Sequence, residues 1–345
     1  MLTAAFDYVL PPELIAQTPI EPRDASRLLV LDRSQRALAH RTFRDISDYL
    51  KSGDLLVVNE TRVIPARLHA VKLPSGGKVE LLLLAKRDRL CWEALVKGRK
   101  VAVGQRLALA GRDEAPVSPV VGRVEAITEA GGRLIRFDEP VEPHLQGLGS
   151  VPLPPYIHTP LADAERYQTI YAREEGSVAA PTAGLHFTPE LRARLDALGV
   201  DWATVLLHIG LDTFRPVTEE QVEQHHIHTE YCRLSAQTAA CINRAVNEGR
   251  RVVAVGTTSV RVLETAAQGL ERGVQPFDGP TRLFIYPGYH FRVVDAIVTN
   301  FHLPRSSLLM LVSAFAGLER IQQAYAEATR LRYRFYSFGD SMLIL

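Results

Sequence analysis

The chain has 345 residues, of which 46% are hydrophobic and 23% are charged, and its formal net charge is +1. This length exceeds one ordinary hydrophobic core, so we expect two domains, and the balanced charge excludes a chain that is basic throughout. Three cysteines without a CxxC pair argue against a disulfide scaffold or a cysteine zinc site. Neither a signal peptide nor an apolar run of the roughly 20 residues that span a bilayer is visible, so we expect a soluble cytoplasmic protein.

The first sixty residues predict an α/β segment. Strands are expected at Arg27–Asp32 and Asp54–Asn59, with a short helix between them at Phe43–Leu50. From about residue 62 to residue 150, short β runs alternate with glycine-rich turns, and this even spacing predicts a small barrel or sandwich. The β runs are Lys78–Ala85, Cys91–Val96, Arg106–Ala110, Gly122–Ile127 and Arg133–Phe137.

The α/β pattern returns after the proline-rich bend at Pro152–Pro155. We therefore predict a mixed α/β domain formed by residues 1–61 and 151–345, with an inserted all-β barrel domain formed by residues 62–150. The later helices are expected at Pro189–Leu198, Ala236–Glu248, Ser259–Gln268, Ser307–Ala316 and Leu318–Leu331, and the later strands at Trp202–Ile209, Arg251–Val255, Arg282–Ile285 and Val293–Val298.

Basic residues concentrate in the inserted segment. Residues 61–150 hold 15 Lys or Arg against 10 Asp or Glu, a net charge of +5. Basic groups that meet phosphates, together with aromatic rings that stack on bases, are what looped RNA requires. A solvated hairpin face and an ordinary helix end are the alternatives. The candidate RNA-binding residues are Lys86, Arg87, Arg89, Lys97, Arg99, Lys100, Arg332 and Arg334.

The segment from Ala179 to Thr188 is a candidate part of a site. Thr182 and Gly184 lie in an irregular backbone, and His186 stands beside the ring of Phe187. A histidine against an aromatic ring can act as an acid or a base, although a buried structural histidine gives the same pattern.

Two further segments carry titratable groups. His208 and Asp212 follow a predicted strand, and His226, His228 and Glu230 would share one face if their segment were a strand. Two histidines and a carboxylate could hold Zn²⁺ or form an acid–base relay. Because no further ligand completes a zinc pattern, we expect no metal, and a polar strand edge is the alternative.

The segment Val255–Arg261 predicts an anion site. Gly256 permits a tight turn between a strand and a helix, where backbone N–H groups point outward, and Thr257, Thr258 and Ser259 add hydroxyl groups. A carboxylate or phosphate would suit such a site. The alternative is an ordinary helix N-cap.

Aromatic and amide side chains mark the last two segments. Tyr286 and Tyr289 flank a Pro-Gly turn and could stack on a base, although packing of the turn would explain them equally well. Asn300 and His302 follow a predicted strand, directly before a helix. Polar groups thus follow four predicted strands, and we expect them to meet at one edge of a sheet, where α/β proteins bind ligands.

These segments together resemble one family, the S-adenosylmethionine:tRNA ribosyltransferase-isomerases of queuosine biosynthesis, over nearly the whole chain. The resemblance also includes the N-terminal motifs at residues 6–12, 23–29 and 56–67 and the C-terminal motif at residues 333–340. Two positions depart from the family pattern: Glu60 stands where Asn is usual, and Arg305 stands where Lys is frequent.

The resemblance implies an unusual reaction. S-adenosylmethionine, as a co-substrate, would give its ribosyl group to 7-aminomethyl-7-deazaguanine at the wobble position of a tRNA, yielding epoxyqueuosine-tRNA, adenine and methionine. It also implies a monomer that meets the anticodon loop and an α/β fold with an inserted barrel. The candidate catalytic residues are His186, His302, Asp212 and Glu230, and the candidate ligand-binding residues are Thr182, Gly184, Phe187, Gly256, Thr257, Thr258, Ser259, Arg261, Tyr286, Tyr289 and Asn300.

Two other functions are compatible with parts of the sequence. A histidine-metal hydrolase would use His226, His228 and Glu230, and a non-catalytic RNA-binding protein would use the basic β segment. Neither explains the polar groups after four predicted strands.

Overall fold

The computed structural model describes residues 1–35, 37–111, 120–128, 131–210 and 216–345. Contacts divide the chain into two compact units. The first unit contains Met1–Arg62, Pro155–Glu174 and Ala180–Leu345, and the second contains Val63–Pro154 and Glu175–Ala179. The first is mixed α/β and the second contains a closed β-barrel, so the expected fold class is confirmed.

Strands and helices are numbered in chain order. The strands are β1 (Arg27–Leu31), β2 (Leu38–Thr42), β3 (Leu55–Asn59), β4 (Thr61–Val63), β5 (Arg67–Leu73), β6 (Lys78–Lys86), β7 (Cys91–Lys97), β8 (Arg106–Ala110), β9 (Val121–Ile127), β10 (Arg133–Phe137), β11 (Glu174–Ser177), β12 (Asp201–Leu207), β13 (Glu230–Leu234), β14 (Val252–Val255), β15 (Phe277–Thr281), β16 (Ala296–Asn300) and β17 (Ser341–Ile344). The helices are α1 (Glu142–Leu148), α2 (Pro189–Leu198), α3 (Ala236–Asn247), α4 (Thr257–Ala266), α5 (Ser307–Ala316) and α6 (Leu318–Arg330).

A nine-stranded sheet forms the centre of the first unit, in the order β15-β13-β12-β3-β14-β16-β17-β1-β2. Its middle strands β12, β3, β14 and β16 run parallel. Every residue of β3, β14 and β16 is buried, which explains why their sequences are uninterrupted apolar runs rather than alternating ones. Because parallel strands end at the same edge, the residues that follow β12, β14 and β16 lie along one edge of the sheet.

Two helices start at this edge. Helix α4 follows β14 directly and is buried along its whole length. Helix α5 is capped by Ser306, whose Oγ accepts a hydrogen bond from the N–H of Leu309 at 3.2 Å. Both strand-to-helix connections therefore place short polar segments at the carboxyl edge. No helix within the described part of the chain is long and apolar enough to cross a bilayer.

The second unit is a closed six-stranded barrel, in the order β10-β7-β6-β5-β8-β9, with antiparallel neighbours. Alternate residues of its strands fill the interior: Leu68, Leu81, Leu107, Val124 and Ile135 are each 0% exposed. Closure leaves no unpaired sheet edge, so short strands suffice to form a stable unit.

Two local predictions are wrong. The described residues Arg282–Ile285 form no strand, and the chain pairs instead at β15, where Pro280 and Gly279 would normally disfavour a strand. Pro280 is tolerated because β15 is an edge strand. His226 and His228 were considered as part of a strand with Glu230, but β13 begins only at Glu230 itself. Neither histidine therefore shares a strand face with Glu230.

Candidate active site

An open cleft of about 630 Å³ lies at the carboxyl edge of the sheet. Its walls come from residues that follow β12, β14 and β16, from the 3-10 helix Thr182–His186 and from a C-terminal loop. The lining residues are Tyr156, Ala180, Pro181, Thr182, Ala183, Ile209, Gly256, Thr257, Thr258, Thr299, Asn300, Phe301, His302, Leu303, Ser306, Leu308, Tyr336 and Ser337.

The N-terminus of α4 opens into this cleft. Gly256 has φ 87°, a conformation that favours glycine, and no side chain caps the helix. The Oγ1 atom of Thr258 is buried and has no hydrogen-bond partner within the described residues. Free N–H groups and an unpartnered hydroxyl together make this end of the cleft suitable for a carboxylate.

Asn300, the last residue of β16, is fixed by three hydrogen-bonding contacts. Its Nδ2 donates to the carbonyl of Tyr336 at 3.1 Å and lies 3.2 Å from Nε2 of His186. The hydroxyl of Thr182 donates to its Oδ1 at 3.2 Å. Asn300 as a whole residue is 3% exposed, and it lines the cleft. Asn300 therefore presents one defined orientation to a ligand.

His186 lies behind the cleft wall. It is 0% exposed, does not line the cleft, and stacks on Phe43 with ring centroids 4.9 Å apart. Burial, with the positive charges of Arg23 and Arg334, holds its pKa well below the usual range. His186 is therefore neutral and can act on a ligand only through Asn300.

His302 lines the cleft directly. Its Nε2 lies 2.7 Å from the hydroxyl of Thr299. Its backbone N–H donates to the hydroxyl of Tyr325 at 2.9 Å, and its carbonyl accepts from that of Tyr8 at 2.5 Å. Burial lowers the pKa of His302 to about 3, so the imidazole is neutral at physiological pH. It is the one histidine that touches the cleft in the described part of the chain.

Two tyrosines supply the aromatic wall. Tyr156 and Tyr336 both line the cleft, and their ring centroids are 4.7 Å apart. The hydroxyl of Tyr156 is 2.7 Å from that of Ser337. Sequence reasoning missed both residues. Tyr156 follows a proline-rich bend and Tyr336 follows a basic segment, and no local pattern connects either residue with the strand ends.

Glu230 and Arg261 form an ion pair with each other, and each is 6% exposed. Glu230 also accepts a hydrogen bond from the N–H of Gly210 at 3.0 Å, and Arg261 donates to the carbonyl of Leu283 at 3.2 Å. Neither residue lines the cleft. The ion pair therefore links α4 with β13. Neither side chain is placed to contact a ligand in the cleft.

Three other predicted ligand residues lie outside the cleft lining. Gly184 packs so closely that a Cβ would approach the hydroxyl of Tyr171 to 2.0 Å. Phe187 is in the hydrophobic core of the first unit. The hydroxyl of Ser259 donates to the carbonyl of Val255 at 2.8 Å. Each of these residues supports the cleft wall from behind.

The aromatic turn also lies away from the cleft lining. Tyr286 packs against Phe284 with ring centroids 5.1 Å apart, and the hydroxyl of Tyr289 donates to Glu264 at 3.1 Å. Packing thus accounts for both tyrosines. Among the described residues, three of the four segments contribute to the cleft lining, the first of them through Ile209. Residues 286–290 do not line the cleft, and no strand directly precedes them.

Asp212 lies outside the described residues. Among the residues that are described, no group of three or more His, Cys, Asp or Glu side chains could hold a metal ion.

The basic residues of the barrel occupy opposite ends of β7. Lys86 and Arg87 are at the tip of the β6–β7 hairpin, where they form ion pairs with Glu142 and Glu93. Arg89 is exposed at the same tip. The other three residues are exposed at the far end of β7 and in the turn that follows it: Lys97, Arg99 and Lys100. The barrel therefore carries two separate basic sites rather than one.

Of the two C-terminal arginines, Arg332 is exposed and lies 3.9 Å from Glu13. Arg334 is half-buried and donates to the carbonyl of Thr18. Burial lowers the pKa of Arg334. Arg332 is thus accessible to a polyanion and Arg334 is largely held by the protein.

A ligand cleft at the carboxyl edge of a parallel-centred sheet, in a chain that also contains a closed β-barrel, defines an α/β ligand-binding protein of two units. Residues 3–344 match the model of the family described as queuosine biosynthesis protein, and the chain belongs to this family. The family membership expected from the sequence motifs is confirmed.

Full-length relatives carry a more detailed name. The chain is 55% identical to an S-adenosylmethionine:tRNA ribosyltransferase-isomerase of Moorella thermoacetica, over 99% of this chain and 98% of the relative. It is also 55% identical to one of Symbiobacterium thermophilum, over 100% of both chains. A crystal structure of S-adenosylmethionine tRNA ribosyltransferase from Thermotoga maritima aligns with a TM-score of 0.57 and 41% identity, covering 99% of this chain and 100% of that chain.

Proposed function

We propose that this protein is an S-adenosylmethionine:tRNA ribosyltransferase-isomerase. It transfers and isomerises the ribosyl group of S-adenosylmethionine onto 7-aminomethyl-7-deazaguanine at the wobble position of tRNA, and it yields epoxyqueuosine-tRNA, adenine and methionine. The observation that carries this proposal is the full-length identity of 55% to relatives with that name. The cleft supports it, because its chemistry suits the two ends of S-adenosylmethionine.

The amino-acid end of S-adenosylmethionine suits the N-terminus of α4. Its carboxylate would accept hydrogen bonds from the uncapped N–H groups after Gly256, and the unpartnered hydroxyl of Thr258 would supply one more donor. The rings of Tyr156 and Tyr336 offer π-faces to adenine or to the sulfonium cation. These residues, with Asn300, form the proposed binding site.

The chemistry requires a base close to the sulfonium. The positive sulfur acidifies the adjacent ribose carbon, so that removal of one proton starts the elimination of adenine. His302 is the candidate that lines the cleft, and its imidazole is neutral and carries a lone pair. Asp212 stays a candidate by residue type. The ion pair with Arg261 leaves Glu230 less suited to this role, and His186 is directed towards Asn300.

We propose tRNA as the second substrate, in contact with basic residues of the barrel. The far end of β7, with the exposed residues Lys97, Arg99 and Lys100, suits phosphate groups better than the hairpin tip, where Lys86 and Arg87 already have acidic partners. We also propose a cytoplasmic monomer that requires no metal.

A direct assay tests the proposal. The protein is incubated with S-adenosylmethionine and a tRNA that carries the aminomethyl-deazaguanine, and the digest is analysed by mass spectrometry. We expect release of adenine and a heavier wobble nucleoside, in equal amounts and without added metal. Folded protein that gives neither product would refute the proposal. Binding of tRNA without any adenine release would instead favour a non-catalytic RNA-binding protein.

A further inference from the structure

A chain of hydrogen bonds connects the interior of the first unit with the cleft. It runs from Ser26 through His186 and Asn300 to Thr182, with distances of 2.7, 3.2 and 3.2 Å between successive side chains. Ser26 and His186 are each 0% exposed, and Asn300 is 3% exposed. Water therefore does not compete for the inner contacts, and each group keeps the donor or acceptor role that its neighbours impose.

The amide of Asn300 has one orientation. One of its two polar atoms lies 3.1 Å from the carbonyl oxygen of Tyr336, which can only accept a hydrogen bond. That atom must be the nitrogen. The oxygen Oδ1 consequently faces Thr182 and the cleft.

The ring of His186 has one protonation state for a related reason. Its Nε2 lies 3.2 Å from Nδ2 of Asn300 and 3.4 Å from Nη2 of Arg23, and both of these atoms are donors. Nε2 must therefore carry a lone pair. The ring proton is on Nδ1, which donates to the hydroxyl oxygen of Ser26 at 2.7 Å. Burial and the charge of Arg23 disfavour the protonated ring.

We propose that His186 is a positioning residue that holds the nitrogen of Asn300 away from the cleft, so that Oδ1 accepts a hydrogen bond from a donor group of S-adenosylmethionine. This inference rests on the proposed function. The cleft then selects an N–H or O–H group of the ligand at this position and rejects an acceptor. Two parts of S-adenosylmethionine offer such donors: the amino group of adenine and the hydroxyl groups of the ribose.

Binding of ligand analogues distinguishes these sources. Isothermal titration calorimetry compares S-adenosylmethionine with three analogues, which lack the adenine amino group, the 2′-hydroxyl or the 3′-hydroxyl. We expect one analogue to bind the wild-type protein about tenfold more weakly, the equivalent of one hydrogen bond. Asn300→Ala should bind that analogue and S-adenosylmethionine equally. If the loss for every analogue is the same in the wild type and in Asn300→Ala, the inference is overturned.

Variants of His186 test the positioning role. His186→Leu removes one of the two acceptors of Nδ2 and leaves only the carbonyl of Tyr336, so the amide of Asn300 is held less firmly. The affinity ratio between S-adenosylmethionine and the sensitive analogue should therefore fall clearly below tenfold. His186→Gln can again accept from Nδ2, and it should restore most of the ratio. A purely structural role would weaken both ligands by the same factor and leave the ratio unchanged.

Ser26→Ala provides a milder version of the same test. It removes the acceptor for Nδ1–H without a large cavity, so the protein should fold even if His186→Leu does not. We expect a smaller decrease of the same ratio. An unchanged ratio in Ser26→Ala, with normal thermal unfolding, contradicts the inference. A wild-type protein that binds no S-adenosylmethionine contradicts the proposed function instead.

Discussion

His302 and His186 are both buried neutral histidines, but they contact different parts of the site. His302 lines the cleft with its ring, whereas the ring of His186 contacts Asn300 and Ser26. A low pKa alone therefore does not identify the residue that reacts. The side chains that surround each ring decide whether it meets a ligand or supports a neighbour.

His302→Ala should slow adenine release by at least about 100-fold, because it removes the proposed base from the cleft. Stopped-time assays of adenine by liquid chromatography measure this rate. His290→Ala is the matched control, since His290 is exposed on a turn away from the cleft lining. If His302→Ala releases adenine at a rate close to that of the control, His302 is not the base, and Asp212 becomes the next candidate to test.

Part of the site was predictable from single residues. Thr182, Thr257, Thr258, Asn300 and His302 were expected and do line the cleft, because each stands at a turn before a helix or after a buried strand. Phe187 was also expected, but its ring is in the core. Its neighbours along the chain could not reveal which way the ring points.

The strand-to-helix connections were the most predictable elements. The buried runs of β14 and β16 end in polar residues, and a helix with ordinary start signals follows each run. The strand expected at Arg282–Ile285 was placed wrongly, since the observed strand β15 depends on pairing with β13 rather than on its own composition. Local patterns therefore predicted the strands and helices that meet at the site, but they did not predict the edge strand β15.

Removing one partner of the buried ion pair between Glu230 of β13 and Arg261 of α4 should destabilise the first unit. Glu230→Gln leaves the guanidinium of Arg261 buried without its carboxylate, and we expect a loss of about 3–5 kcal/mol in the free energy of unfolding of the first unit. Glu327→Gln is the control, because it breaks the surface pair with Arg330 and should leave the free energy of unfolding close to that of the wild type.

Urea unfolding followed by fluorescence measures these losses. The chain has two tryptophans, Trp92 in the second unit and Trp202 in the first. In a Trp92→Phe background the fluorescence of Trp202 reports the first unit alone. Equal midpoints for Glu230→Gln and Glu327→Gln would contradict a stabilising role for the buried pair.

The two ends of β7 should contribute unequally to tRNA binding. Replacing Lys97, Arg99 and Lys100 with glutamine should weaken binding and reduce the slope of log Kd against log salt by about 2 to 3. Replacing Lys86 and Arg87 should have a smaller effect, because acidic side chains already pair with them. Filter binding at several salt concentrations measures both slopes. A larger effect at the hairpin tip would reverse the proposed contact surface.

At the scale of the whole molecule, sequence patterns predicted the fold class, a mixed α/β protein that also contains a β-barrel. They could not predict the order of nine strands, in which β17, formed by the last residues, lies between β16 and β1. They also did not place Tyr156 and Tyr336 in one wall, because 180 residues separate the two in the chain and only the folded structure brings them together. Contacts between residues far apart in the chain therefore determine the features that local patterns did not predict.

Burial of neutral histidines should make the first unit sensitive to acid. In the unfolded chain a histidine binds a proton below about pH 6.5, whereas burial lowers the folded pKa of His302 to about 3 and that of His186 well below the usual range. Between these values the unfolded state binds more protons, so stability is lost as pH falls. Each histidine should contribute about 1.4 kcal/mol per pH unit in this window.

A comparison with His302→Gln isolates one histidine. As the pH falls from 8 to 5, the free energy of unfolding of the variant should rise by about 2 kcal/mol relative to that of the wild type, because only the wild type has this proton to exclude in the folded state. The Trp202 signal in the Trp92→Phe background reports both proteins. A difference that is constant over this range would show that His302 is not held neutral by folding.

The most direct test of ribosyl transfer is to trace which atoms of S-adenosylmethionine enter the tRNA. S-adenosylmethionine labelled with carbon-14 in its ribose is compared with a sample labelled in its methyl group, each with tRNA that carries the aminomethyl-deazaguanine. We predict that the ribose label enters the tRNA in proportion to the adenine released, while the methyl label stays with methionine. Methyl label in the tRNA, or no transfer of ribose label by folded protein, would contradict ribosyl transfer at the cleft.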